Sequence, residues 1–293
     1  MQTKPAWLLQ HSSNIKSQHG EDGIICAIFD IIAEESRWCV ELGALNGTHD
    51  SNTWALMQQH WSGVLIEADP TYFEKLQSVH AGNEKAHCIN AFVSFEGNDS
   101  LDNILARTPI PKAFDLFSLD IDGNEYHVWD SLRNYRPRVV VVEFNPSFPN
   151  DVSFVQPRDM KVFQGASLRA LVELGRQKGY ELIAANVTNA FFVQRELFSK
   201  FGISDNSPDA LHSDTSFQTH LIQLYDGTIM ISGYDKLMFR NTPIDVRKLQ
   251  VLSARERKYP ARVSGNAFVR KLKYIARTLP IYSLVQKIRK YGR

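Results

Sequence analysis

Arg37–His60 reads RWCVELGALNGTHDSNTWALMQQH, and GVLIEAD follows it at Gly63–Asp69. The first stretch opens on a short apolar run, Trp38 to Leu42, turns at Gly43 and Gly47, and continues into a helical pattern. The second is another apolar run that ends on acids and leads into a helix started by Pro70 and reaching about Val79. Strand, glycine turn, helix and strand in this order predict parallel pairing, because parallel neighbours need a crossover the length of a helix between them.

Outward from this stretch the alternation continues. Upstream, GIICAIFDIIAE at Gly23–Glu34 is apolar nearly all round and predicts a buried helix. Downstream, AHCINAFVS (Ala86–Ser94), AFDLFSLDIDG (Ala113–Gly123) and RVVVVEFNP (Arg138–Pro146) predict three more strands, separated by the helical segments SLDNILAR and NEYHVWDSL. Four consecutive valines have the composition of a strand buried on both faces. Gly165–Gly179 predicts a helix capped by Ser167, with Leu168, Leu171, Val172 and Leu174 on one face and Gly179 at its end. YELIAANVTNAFFVQ then reads as two strands around a tight Thr188-Asn189 turn.

The fold expected is α/β: a doubly wound, mostly parallel seven-stranded sheet closed by an antiparallel hairpin, with a C-terminal extension. This domain is placed at 1–196. Residues 197–259 form an extension containing a second hairpin, His220–Phe239 around Asp226-Gly227, as a lid or substrate element. Residues 260–293 form a basic amphipathic tail.

Composition sets the class. Of 293 residues, 43% are hydrophobic and 22% charged, as in soluble globular proteins with a sizeable core. No apolar run reaches the roughly 18 residues of a membrane span, and the N-terminal stretch has no signal-peptide core. Cys26, Cys39 and Cys88 lack metal-ligand spacing and read as free thiols, which places the chain in the cytoplasm. The net charge of +1 hides an asymmetry: from Arg257 to Arg293 there are eleven Lys or Arg and no Asp or Glu. Removing these from the total of 33 leaves 22 basic against 32 acidic residues, a net charge of −10 for the body. An acidic body excludes sequence-independent nucleic-acid binding by the fold itself. The tail interleaves Phe268, Leu272, Ile275, Leu279, Ile281, Leu284, Val285 and Ile288 with cations around Pro280. Such segments lie on anionic membrane surfaces or meet lipid-linked substrates, which would make the protein peripheral on an inner membrane face. Docking of the tail on the acidic body and contact of the tail with nucleic acid are the alternatives.

The cofactor constellation begins with Glu41, Gly43, Ala44 and Gly47, where glycines permit positive φ and close approach of a ligand to the backbone. Glu67 closes the next strand 26 residues later, where a carboxylate accepts hydrogen bonds from both ribose hydroxyls of an adenosine, with Ala68 beside it. Leu45 stands where a dinucleotide fingerprint has its second glycine, which favours a cofactor without a pyrophosphate. Asn90 and Ala91, ending the third strand, line the adenine position; Phe92 reads first as core packing.

Asp120 and Asp122 share one face if the fourth strand runs through them, and Glu143 and Asn145 repeat that spacing on its neighbour. Four oxygen donors converging at the carboxyl edge make a candidate Mg²⁺ site; the alternative is that one carboxylate contacts the cofactor and the others cap helices. His127 and Asp122 are candidate general bases, with His49 behind them.

These motifs together resemble the FkbM-type family of S-adenosylmethionine-dependent methyltransferases, many of which O-methylate sugars or natural products. The resemblance rests on SQHGEDGII, VELGALNGTHDSNT, GVLIEADP, FDLFSLDIDGNEYHVWDSL, RVVVVEFNP and GYELIAANVTNAFFV, and spans Ser17 to Arg195. It implies S-adenosylmethionine as cofactor and a glycan or small-molecule acceptor. It puts Glu41, Gly43 and Gly47 at the methionine end, Glu67 on the ribose and Asp120 beside the transferred methyl. The segment holding Gln18 and Glu21 would fold over the cofactor. Leu45 replaces the Asn of the family's turn, and DIDG replaces its acid-Gly pair. Two other functions use the same features: a metal-dependent glycosyltransferase built on Asp-x-Asp, and a non-catalytic, membrane-tethered cofactor-binding module.

Overall fold

The computed structural model describes residues 6–257. Contacts divide the chain between Thr215 and Ser216 into two units.

The first unit is built on a seven-stranded sheet of order β3-β2-β1-β4-β5-β7-β6, mostly parallel and closed by an antiparallel hairpin as expected. Its strands are β1 (Trp38–Leu42), β2 (Ser62–Glu67), β3 (Ala86–Asn90), β4 (Leu116–Leu119), β5 (Val139–Glu143), β6 (Tyr180–Ala185) and β7 (Asn189–Gln194). The first five pair in parallel, while β7 runs antiparallel between β5 and β6. The helices between them are α1 (Glu21–Ile32), α2 (Trp54–Gln58), α3 (Pro70–Val79), α4 (Leu101–Leu105), α5 (Glu125–Ser131) and α6 (Leu168–Gln177). The four valines of β5 are fully buried, as a central strand covered on both faces requires. Ser167 caps α6 by accepting from the Ala170 N–H, and Trp129 of α5 packs against Tyr180 and Phe192 of the hairpin. The hairpin turn lies one step earlier than Thr188-Asn189: the Asn186 side chain accepts from the Thr188 and Asn189 N–H groups, and Asn189 already belongs to β7.

The amino edge of the sheet is closed by one buried node. Asp115 is fully buried; its Oδ2 accepts from the N–H groups of Ser36 (2.8 Å) and Arg37 (2.7 Å), and its Oδ1 pairs with Arg138 Nη1 at 2.8 Å. Arg138 also donates to the carbonyls of Ile32 and Ala33, which α1 leaves free at its C-terminus. Both charges are therefore satisfied, and they tie α1 to β4 and β5 at the edge opposite the chemistry.

The first unit extends past the expected boundary at 196. Short helices α7 (Arg195–Phe198) and α8 (Pro208–Leu211) follow β7, and Phe201, Ile203 and Leu211 are buried in the sheet's own core. Residues 197–215 therefore join the sheet domain, because their apolar side chains complete its packing. The second unit begins at Ser216 with an antiparallel hairpin of β8 (Thr219–Gln223) and β9 (Ile229–Gly233), turned where Asp226 Oδ1 accepts from the Thr228 N–H. The basic tail, 260–293, lies outside the described residues. No helix among the described residues is long and apolar enough to cross a membrane.

Candidate active site

The carboxyl edge of β1, β2 and β4 carries the glycine turn. The N–H groups of Gly43 and Ala44 both donate to the Ile66 carbonyl at 3.1 Å, which folds the turn over β2. Gly43 sits at φ +74°, and a Cβ there would lie 1.9 Å from the Asp120 carbonyl oxygen. Gly47, at φ +77°, packs on Leu76 of α3 and on His80, whose buried Nε2 has no hydrogen-bond partner among the described residues. Leu45 replaces a glycine by itself adopting φ +46°, an uncommon conformation for a bulky residue.

The Glu67 carboxylate bridges this turn to the next: Oε2 accepts from the Leu45 N–H at 2.8 Å and Oε1 from the Asp69 N–H at 2.7 Å. A carboxylate offers about four acceptor positions, so two remain for further donors. Asn90 ties β3 to β2 by donating to the carbonyls of Glu67 (2.8 Å) and Ala68 (3.1 Å), and the Ala91 N–H also reaches the Glu67 carbonyl. Phe92 is 57% exposed, so its expected core role does not hold: β3 ends at Asn90, and Phe92 faces outward while the neighbouring Ala91 and Val93 pack on the core.

Glu41 turns into the protein. Its oxygens accept from Ser51 Oγ (2.8 Å), Thr53 Oγ1 (2.7 Å) and the Asn52 N–H (2.7 Å). Burial pushes its pKa up to about 7 against these stabilising bonds. It holds the segment that follows the glycine turn.

Asp120, Asp122 and Glu143 bring one carboxylate oxygen each within 4.8 Å of one another. They do so for a different reason than strand parity. β4 ends at Leu119, and the two aspartates converge because Asp122, at φ +57°, bends the chain into a turn. Glu125, unforeseen in the sequence reading, makes that turn: its buried Oε1 accepts from the N–H groups of Ile121 (3.0 Å) and Gly123 (2.7 Å). No capping-box spacing marks it, because Asn124 is the N-cap and Glu125 the first residue of α5. Asn145 stands apart from the group, because its Oδ1 accepts from Ser147 and its Nδ2 donates to the Gln164 carbonyl at 2.9 Å.

Burial and the neighbouring Asp122 charge raise Asp120 to about 6, while burial and Asp120 drive Glu143 well above the carboxylate range. The two share a hydrogen bond, and of the pair Glu143 is the one more strongly driven towards its protonated form. Glu125 is raised to about 7, by burial first.

Glu21, fully buried, stands close enough to add its charge to that felt by Asp120. It accepts from the His19 N–H (2.7 Å), from Asn186 Nδ2 (2.6 Å) and from Asn189 Nδ2 (3.0 Å), fastening the N-terminal segment to the hairpin. Gln18 is exposed, with its carbonyl accepting from Asn14. His127 is buried under Phe95, and its Nε2 contacts the Gln156 carbonyl at 2.9 Å. A carbonyl only accepts, so this nitrogen holds a proton and is unavailable as a base. His49 is exposed beside Asp50.

No family model matches this sequence, and no curated protein matches it. Solved structures do. Monomeric WbdD shares 16% identity at TM-score 0.37, covering 59% of this chain and 40% of its own. The N-terminal domain of EvdMO1, in the presence of SAH and D-fucose, shares 14% at 0.40, over 63% and 84%. Magnesium protoporphyrin IX methyltransferase (ChlM) of Synechocystis PCC 6803, with bound SAM, shares 10% at 0.38, over 59% and 77%. This chain thus spans about two-fifths of the length of WbdD. At such identities and TM-scores the likeness carries no activity, cofactor or acceptor over to this chain.

Proposed function

We propose that this chain is an S-adenosylmethionine-dependent O-methyltransferase acting on a sugar hydroxyl of a glycan or glycoconjugate. One observation carries the reading: the glycine turn, the Glu67 carboxylate and Asp120 meet at one carboxyl edge, with the Leu45 N–H on Glu67 and Gly43 against Asp120. The adenosine ribose would take the two free acceptor positions of Glu67. The exposed Phe92 ring and Asn90 stand at the end of β3, where an adenine would follow.

Transfer needs an acceptor oxygen in line with the methyl–sulfur bond. The oxygen–carbon bond forms as the carbon–sulfur bond breaks, the sulfonium becomes a neutral thioether, and the hydroxyl proton goes to a base. Asp120, raised to about 6, is a stronger base than an ordinary carboxylate and remains mostly ionised at neutral pH. The neighbouring carboxylates Asp122 and Glu21 disfavour an anionic acceptor and can accept from a polyhydroxylated one. Asp120, Asp122 and Glu143 also fit a hard divalent cation such as Mg²⁺, which when bound would orient and acidify an acceptor hydroxyl.

The test is titration calorimetry of S-adenosylmethionine into the purified protein, with and without Mg²⁺, repeated on Glu67→Ala. Micromolar binding abolished by the substitution is the expected result. Absence of binding under both conditions overturns the proposal.

A further inference from the structure

Between β5 and α6 the chain runs out from the carboxyl edge and returns. An antiparallel bridge of Val155 with Ala166 closes the base, so residues 156–165 form a compact Ω-shaped loop. Gln156, buried, holds it together: its Nε2 donates to the Val162 carbonyl (2.7 Å), and its Oε1 accepts from the Gln164 and Gly165 N–H groups (2.8 Å each). Three ties fix the loop to the sheet domain. Asn124 Nδ2 donates to the Val162 carbonyl at 3.2 Å, His127 holds the Gln156 carbonyl, and the Arg158 guanidinium lies 4.3 Å from the centre of the Phe95 ring.

This loop is seated on the turn that carries the acids. A Cβ on Gly123 would fall 3.0 Å from the Phe163 Cα and 3.3 Å from Gln156 Oε1, so the absence of a side chain lets the two backbones meet. Phe163 therefore stands against the residue that follows Asp122, the exposed member of the acidic group. Its own side chain is 65% exposed, more than any other large apolar side chain described in the first unit. Apolar residues scattered singly over a surface call for no explanation. Phe163 differs in being held out on a fastened loop, with its backbone pressed on the candidate site.

An aromatic ring beside carboxylates suits one kind of ligand. A pyranose presents C–H groups on its faces and hydroxyls around its rim. The C–H groups are drawn to the negative face of an aromatic ring, and the hydroxyls donate to carboxylates. A flat aromatic acceptor without hydroxyls would use the ring and leave the acids unserved, and an anionic one would be repelled by them.

We propose that Phe163 is the platform for the acceptor: an uncharged pyranose lays a C–H face on the Phe163 ring, while hydroxyls at its rim donate to Asp122 and Asp120. The assignment rests on the proposed methyl transfer to a sugar and names the residue that selects the sugar.

Saturation-transfer NMR of the full chain with the methyl α- and β-glycosides of glucose, galactose, mannose and fucose tests this, with S-adenosylhomocysteine present and without it. At least one glycoside is expected to bind, with saturation strongest on the C–H protons of one ring face. Phe163→Ala should weaken it about tenfold and Phe163→Tyr should retain it. Both variants should leave S-adenosylhomocysteine affinity in calorimetry and the urea midpoint unchanged. If Phe163→Ala disturbs the fold, Phe163→Leu, which keeps bulk without the ring, is read in its place. Glycoside binding indifferent to loss of the ring overturns the proposal, and so does the failure of every glycoside to bind. A glycoside bound through Phe163 by a chain that does not bind S-adenosylhomocysteine upholds the platform and overturns methyl transfer instead.

Discussion

Gly43→Ala tests how closely the glycine turn and the acidic cluster are built on each other. The new Cβ would fall 1.9 Å from the Asp120 carbonyl oxygen, where ordinary contact begins at 3.4 Å, so the turn and the Asp120 peptide must part by roughly 1.5 Å. Both partners are backbone, so no rotamer relieves the contact. The φ of +74° adds a left-handed penalty of about 1–2 kcal/mol for alanine. A movement of that size also breaks the bonds of Gly43 and Ala44 to the Ile66 carbonyl, about 1 kcal/mol each. The expected loss is about 3–5 kcal/mol, a large share of an ordinary domain's stability. Gly82→Ala is the control: its φ is +79°, yet a Cβ there meets nothing within 4 Å, so it carries the backbone penalty alone. Urea unfolding followed by tryptophan fluorescence should separate the two variants by at least 2 kcal/mol. Calorimetry should show S-adenosylmethionine affinity reduced more than tenfold in Gly43→Ala and intact in Gly82→Ala. Equal unfolding midpoints for the two variants would refute the argument.

Four further outcomes follow from the same geometry. Asp115→Ala should cost about 3–5 kcal/mol in urea unfolding, because it removes the buried partner of Arg138 and the acceptor of the Ser36 and Arg37 N–H groups. Glu67→Gln should keep the fold and weaken S-adenosylmethionine at least tenfold in calorimetry, since either amide orientation sets an NH₂ against the N–H of Leu45 or Asp69. Methyl transfer should be flat above neutral pH and fall as pH drops through about 6, where Asp120 gains its proton; Asp120→Asn should lower kcat by about 10²–10⁴ with cofactor affinity nearly unchanged. Glu143→Gln, which mimics the protonated acid, should leave the metal-free rate within a few-fold in a turnover assay, whereas a rate dependent on a cation held there would collapse.

The sheet was legible because it is written in local periodicity. Short apolar runs, a glycine turn and Ser167 before an amphipathic stretch each specify their own element, and β1, α3 and the α6 cap stand where expected. The extension's boundary was not legible, since Phe201 and Leu211 declare their membership of the core only through packing. At the site the limit is sharper. Strand parity pointed to Asp120 and Asp122 together, but the strand stops at Leu119 and a positive-φ turn held by Glu125 makes the convergence. Parity applied to Asn145 failed because the chain leaves the strand in another direction and spends that side chain on its own loop. Asn186 and Asn189 had no local signal at all: they meet Glu21 across 165 and 168 residues of chain.

The functional weight of the acids lies in the same non-local terms. Asp120 and Glu143 are both raised because both are buried and each feels the other's charge, and Glu143 is raised the further of the two. A motif names the groups that can share a proton. Which of them holds it, and therefore which one is free to take the acceptor's, is decided by the wall that β5 and the Glu125 turn place around them.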